Sequence, residues 1–204
     1  MDDAAPTAAA RDWSLLPLDV ISSIFVSIGA VDVLTGAGLV CRSWLEAAML
    51  PDVWRVVDMD KHEAVLLKDR TVLRAMAMAA IDRSHGQLRV FAGKRFVDDK
   101  LIKYMVERSP LLAFLRLVSS SGMFGLARVF KESPPLELCS LELEGAYLTV
   151  EELTAVLESC PVLEVLGTRY CCVMCDEHKD ALRAKFPHIK ITISGCTCFN
   201  NSTS

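Results

Sequence analysis

Several features are missing from this 204-residue chain, and each absence removes a class of function. No stretch reaches the roughly 18 uninterrupted apolar residues of a membrane-spanning helix. Met1 to Ala10 is acidic and alanine-rich, with neither a basic start nor a continuous apolar run, so it does not read as a secretion signal. No excess of positive charge exists: the formal net charge is −4, which gives no general attraction to nucleic acid or to an anionic membrane. Glycine-rich phosphate loops are lacking, since no lysine-serine pair follows Gly122 or Gly125 in that pattern. Neither a Cys/His/Asn nor a Cys/His/Asp series with a local signature is present, so a cysteine nucleophile is not expected, and no cofactor is called for. His62 and His85 stand singly in polar surroundings and read as solvated loop or helix-end residues.

What is present is apolar and ordered. An apolar fraction of 52% easily supplies a core. Between residues 16 and 54 runs the series Leu16-Pro17, Ile21, Ile24-Phe25, Asp32, Val40-Cys41-Arg42, Trp44, Pro51 and Trp54. It contains helix punctuators and apolar residues, and no set of groups able to do acid, base or nucleophilic chemistry. Pro17 suits a first helical position, having no amide hydrogen to leave unpaired, and Asp19 is favourable near the positive helix end. A helix is therefore expected from Leu16 or Pro17 to Gly29, with Ile21, Ile24, Phe25 and Ile28 on one face and Leu18 and Val20 widening it. Asp32 is expected to cap a second helix running to Leu39, weakened by Gly36 and Gly38 at about 1 kcal/mol each. Cys41, Trp44, Leu45 and Ala48 define a third, ended by Pro51. So short a segment cannot bury all this apolar area by itself, which calls for a partner or a following domain.

This order and spacing resemble an F-box, the helical module through which substrate receptors join the Skp-type adaptor of a cullin-RING ubiquitin ligase. The resemblance implies adaptor contacts from Leu16, Pro17, Ile21, Ile24, Phe25, Val40, Cys41 and Trp44, with Trp54 at the junction to the rest of the chain. Its glycine-rich middle, Gly29 to Gly38, departs from relatives that carry leucines and basic residues there.

Behind the series the sequence repeats. Leu88-x-x-Phe91, Leu112-x-x-Leu115-x-Leu117, Leu138-x-x-Leu141-x-Leu143 and Leu163-x-x-Leu166 recur every 24 to 26 residues or so, with Ile189 in phase. Helical periodicity fills the intervals at Val72 to Ile81, Lys100 to Arg108, Met123 to Lys131, Val150 to Glu158 and Glu177 to Lys185. Prolines 110, 134, 161 and 187 punctuate the units. Stacked units of this period give parallel strands on the concave side and helices outside. The layout resembles the leucine-rich repeats of plant F-box proteins, whose Cys-Pro-x-Leu-x-x-Leu element matches Cys160 to Leu166.

The fold class expected is thus α/β: a three-helix F-box followed by a short leucine-rich-repeat solenoid. The expected boundaries are a disordered tail at 1–12, the F-box at 13–57, about four to five repeats at 58–195, and a tail at 196–204. Strand alternation turns Leu112, Leu115, Leu117, Leu138, Leu141, Leu143, Leu163 and Leu166 inward. It leaves Val90 and Ala92, Phe114 and Arg116, Ser140 and Glu142, and Val165 and Gly167 on the open side. Phe114, Arg116, Ser140, Glu142 and Val165 are the candidate substrate-binding residues, Phe114 beside Arg116 having the composition of an interface hot spot. The function implied is a non-catalytic receptor subunit of a Skp–cullin–F-box ligase in cytosol or nucleus, with an unnamed protein target. Two alternatives stand beside it: a zinc or redox domain built on Cys172, Cys175 and His178 with Cys196 and Cys198 nearby, or an F-box interaction partner without ligase work. Cys171 instead occupies the structural Asn-or-Cys position of the repeat.

Overall fold

In a computed structural model, residues 12–118, 125–134, 136–146, 148–171 and 176–195 are described. The first helices are α1 (Leu18–Ile28), α2 (Ala30–Thr35) and α3 (Arg42–Ala47), with 3-10 turns at Trp13–Leu15, Ala37–Leu39 and Pro51–Trp54. Pro17 is the residue before the first helical position rather than in it. Gly29 ends α1 at φ +91°, a left-handed conformation that suits glycine, and so permits the sharp turn into α2. Asp32 does not cap α2. That helix begins two residues earlier, which puts Asp32 in its first turn, and stops at Gly36 instead of running on to Leu39.

The rest of the described chain alternates strand and helix: β1 (Val56–Asp58), α4 (Glu63–Leu67), α5 (Arg70–Arg83), β2 (Val90–Lys94), α6 (Asp99–Arg108), β3 (Phe114–Val118), α7 (Leu126–Glu132), β4 (Ser140–Glu144), α8 (Val150–Glu158), β5 (Val165–Arg169), α9 (Asp176–Lys185) and β6 (Lys190–Ser194). The six strands form one parallel sheet in sequence order. Local chemistry sets the helix starts. Asp69 accepts from the Thr71 N–H at 2.7 Å, so α5 begins before Val72, while Asp98 accepts from Leu101 at 3.0 Å. Thr149 and Glu152 bond reciprocally to each other's backbone N–H in a capping box. Sequence reading missed α4, which His62 caps by accepting the Ala64 N–H on Nδ1 at 3.1 Å.

Ahead of each strand the repeat phase shows as a chain of backbone bonds: Arg89 N–H to Arg55, Ala113 to Arg89, Cys139 to Ala113, Glu164 to Cys139 and Lys190 to Glu164, all 2.8–2.9 Å. Leucines 115, 117, 141, 143 and 166 on the strands are buried, as alternation requires, and Leu112, Leu138 and Leu163 are buried in the segments just ahead of the strands, where alternation does not apply. Each contributes about 1.5–3 kcal/mol of burial relative to exposure. The Cys171 thiol is buried and donates to the carbonyls of Leu143 and Arg169, both at 3.6 Å, the structural role expected of its position. One hydrophobic core runs from Ile21 and Phe25 through Trp54 to Ile191, so helical start and repeats share an interior.

Candidate functional site: a helical docking surface and a concave sheet

At the amino end, two hydrogen bonds fasten the first 3-10 turn to the start of α3. Trp44 Nε1 donates to the Trp13 carbonyl at 3.1 Å, and the Ser43 hydroxyl donates to that of Ser14 at 2.9 Å. Leu15, Leu16 and Pro17 are thereby held beside the segment carrying Val40, Cys41 and Trp44. Val40 is 62% exposed and Pro17 is exposed, while Leu16, Ile24, Cys41 and Trp44 are half-buried. Ile21 and Phe25 depart from the expected contact set: both are fully buried, at 0%. They shape the surface from beneath, Phe25 meeting the Trp44 ring edge-on at 5.5 Å. Leu15 and Leu39, 79% and 73% exposed, belong to the apolar surface and were not singled out from sequence. Leu15 directly precedes the Leu-Pro pair, and Leu39 directly precedes Val40. The Cys41 thiol is held below the usual cysteine range, chiefly by its hydrogen bond with Ser43 at 3.2 Å.

Within the glycine-rich middle, packing requires a glycine at position 38. A Cβ there would lie 2.8 Å from the Val33 carbonyl oxygen and 3.1 Å from the Ala48 Cβ, so the turn before Leu39 packs too closely for a side chain. Asp32, the other marked residue of that stretch, reaches His62 at the start of α4, both carboxylate oxygens lying 3.2 Å from Nε2. His62 is therefore a partnered junction residue, not a solitary one. Trp54 completes the junction: its ring is fully buried, Nε1 donates to the Ala48 carbonyl at 2.9 Å, and the Arg83 guanidinium from α5 stacks 5.3 Å from the ring centre.

On the open face of the sheet, strand register aligns Val56, Val90, Phe114, Ser140, Val165 and Lys190 in one row and Asp58, Ala92, Arg116, Glu142, Gly167 and Thr192 in the next. Phe114, Arg116, Ser140, Glu142 and Val165 are all half-buried and brought together here. Ala92, expected to be open, is buried. Arg116 is not a free hot-spot cation. It pairs with Asp60 at 3.2 Å, Glu142 at 2.7 Å and Glu144 at 3.4 Å, which leaves this part of the face locally acidic. Those carboxylates raise its pKa against the opposing effect of burial, which is the largest single influence. A hollow of about 280 Å³ lies against Arg116, Glu142, Glu144, Val165 and Arg169.

For the cysteine alternative, Cys172, Cys175, Cys196 and Cys198 lie outside the described residues, and His178 stands on α9. Among the described residues no group of three or more His, Cys, Asp or Glu is placed to hold a metal ion. Nor, among them, is any single helix long and apolar enough to cross a membrane.

A packed helical module leading into parallel leucine-rich strands defines the class of F-box proteins with leucine-rich repeats. The F-box-like family model matches residues 13–60, ending just past β1. Along 162 residues the chain is 33% identical to Putative F-box/LRR-repeat protein 23 of Arabidopsis thaliana, covering 76% of this chain and 34% of that protein. It is 28% identical to Putative F-box/LRR-repeat protein 9, covering 79% and 69%, and 32% identical to F-box protein SKIP19, covering 80% and 53%, both of the same plant. The chain thus spans about a third to two thirds of the length of these relatives. The F-box-like match and these relatives together support a plant F-box/leucine-rich-repeat protein.

Proposed function

We propose that the protein is the substrate-recognition subunit of a Skp–cullin–F-box ubiquitin ligase, working in the cytosol or nucleus and catalysing nothing itself. The observation carrying this reading is the exposed apolar band of Leu15, Pro17, Leu39 and Val40, held together by the hydrogen bonds from Trp44 and Ser43 to the first 3-10 turn. Leu16, Ile24, Cys41 and Trp44 border that band and complete the adaptor contact, while Ile21 and Phe25 hold it in shape. The open sheet face, with Phe114, Val165, Ser140 and the Arg116–Glu142 pair, receives the target protein. Joining adaptor and target through one rigid body raises the effective concentration of a target lysine at the ubiquitin-charged enzyme, which is catalysis by proximity.

The test is co-purification with a plant Skp-type adaptor. Wild type forms a stoichiometric complex, and Val40→Asp, or Leu16→Ala with Pro17→Ala, weakens it by about tenfold or more, as truncation of central interface residues does. Val40→Asp melts like wild type because the side chain is exposed. Well-folded, monodisperse wild-type protein that associates with no member of the adaptor family overturns the reading.

A further inference from the structure

A second hollow, about 260 Å³, opens between the α4–α5 turn and the end of β2, away from both surfaces above. Four cations line it, Lys68, Arg70, Lys94 and Arg95, against a single carboxylate, Asp69. Asp69 is engaged in capping α5 through the Thr71 N–H. Several cations elsewhere are matched, Arg55 with Asp52, Arg74 with Asp98, Arg108 with Asp82, Arg116 with three acids and Lys185 with Glu158, whereas Lys61, Lys100 and Lys131, without an ion pair among the described residues, line neither hollow. Here Lys68, Lys94 and Arg95 have no ion-pair partner among the described residues, in a chain whose formal net charge is −4. Like charges gathered this closely repel one another unless an anion is placed among them. Arg95 is also a non-glycine residue at φ +60°, with its N–H fixed on the Val118 carbonyl at 2.9 Å, so its side chain leaves from a constrained point.

Beside the cations stands an apolar shoulder. Leu66 lines the hollow, Leu67 next to it is 87% exposed, and Val72 is exposed on the first turn of α5. We infer that this hollow binds an acidic segment of a partner polypeptide, its oxyanions among Lys68, Lys94 and Arg95 and an adjacent apolar side chain on Leu66 and Leu67. The oxyanions are carboxylates of Asp or Glu or a phosphorylated side chain; both present the same chemistry to these cations. A recessed site favours a discrete segment over a flat anionic bilayer, which the overall negative charge of the chain repels. Charge and apolar shoulder together fit a peptide better than a small hydrophilic anion, which gains nothing from exposed leucines.

The experiment is fluorescence anisotropy on the full chain with a dye-labelled peptide carrying three glutamates around one leucine. A phosphoserine version, a version with glutamines for the glutamates, and vesicles containing phosphatidylserine accompany it. The glutamate or the phosphoserine peptide binds at least about tenfold tighter than the glutamine peptide, and more weakly as salt rises. Which of the two binds tighter identifies the source of the oxyanion. Lys94→Ala with Arg95→Asn removes that preference while leaving the fold intact, since asparagine tolerates the left-handed backbone at position 95. Leu67→Ser lowers affinity severalfold without moving the melting temperature. Equal binding of all peptides, wild-type affinity in the double variant, or binding to vesicles without binding to peptide each overturns the proposal. Adaptor association measured on the same preparations reports separately on the ligase reading, because this hollow shares no residue with the adaptor surface.

Discussion

Replacing Trp54 by alanine tests whether the two halves of the molecule are one mechanical unit. The indole is entirely buried between the helical module and α5, with its N–H on Ala48 and Arg83 against its face. Truncating a buried aromatic of this size costs about 3–5 kcal/mol, through lost burial and the cavity left behind. For a domain of about 150–250 residues each kcal/mol lowers the melting temperature by about 2–4 °C, so the expected drop is about 6–20 °C. Against a typical total stability of about 5–15 kcal/mol this is a large fraction. Trp54→Phe separates the contributions, since it keeps most of the apolar volume and removes the N–H. Leaving the Ala48 carbonyl unpaired costs about 1–3 kcal/mol, a smaller decrease than alanine gives. The assay is thermal unfolding followed by circular dichroism, paired with limited proteolysis. New cleavage between α3 and α4 accompanies the alanine variant when the junction loosens. An alanine variant melting within about 2 °C of wild type, with an unchanged protease pattern, refutes the argument that this residue couples the modules.

Two further outcomes follow from local geometry. Gly38→Ala forces a methyl group against the Val33 carbonyl and the Ala48 side chain and destabilises by about 1–3 kcal/mol in chemical denaturation, whereas Gly36→Ala, whose new Cβ meets only the Asp32 carbonyl oxygen at 3.8 Å, costs less. Burial pushes the Cys160 thiol from 9.0 up to about 11. Between those values the unfolded chain releases a proton that the folded chain keeps, so stability falls as pH rises from about 9 to about 11, by about 2 to 3 kcal/mol in all at about 1.4 kcal/mol per pH unit. Cys160→Ala removes that component of the slope, and denaturation measured across this range in both proteins checks it.

Sequence reveals the architecture here because the repeat writes the same physics five times. Each leucine pair that must point inward recurs at the sheet's spacing, and each helix between strands has its own apolar face, so errors at one unit are corrected by the next. Where a feature depends on a single residue it is harder to read. His62 looks solitary until the fold brings it to Asp32 and makes it the cap of α4. Ile21 and Phe25 have the same apolar character as Leu16 and Val40, and periodicity reports only that they share a helix face. Whether that face meets the chain's own α3 or a foreign protein is decided by the packing of α1 on α3 and by the strap from Trp13 and Ser14. Arg116 likewise reads as an available cation because its three carboxylates lie on β4 and just after β1, 26 to 56 residues away in sequence.

The continuity of the core bears directly on how such a receptor could work. Flexible linkage between an adaptor-binding module and a target-binding sheet would spread a bound target over a large volume and dilute its lysines at the transfer site. In this chain β1 begins one residue after the 3-10 turn holding Trp54, α2 touches β1 and α5, and the Asp32–His62 pair crosses the same boundary. There is no length of chain there to act as a hinge. The orientation of the open sheet relative to the apolar band is therefore set by buried side chains, Trp54 first among them, and under the proposed receptor role such residues influence transfer without touching either partner.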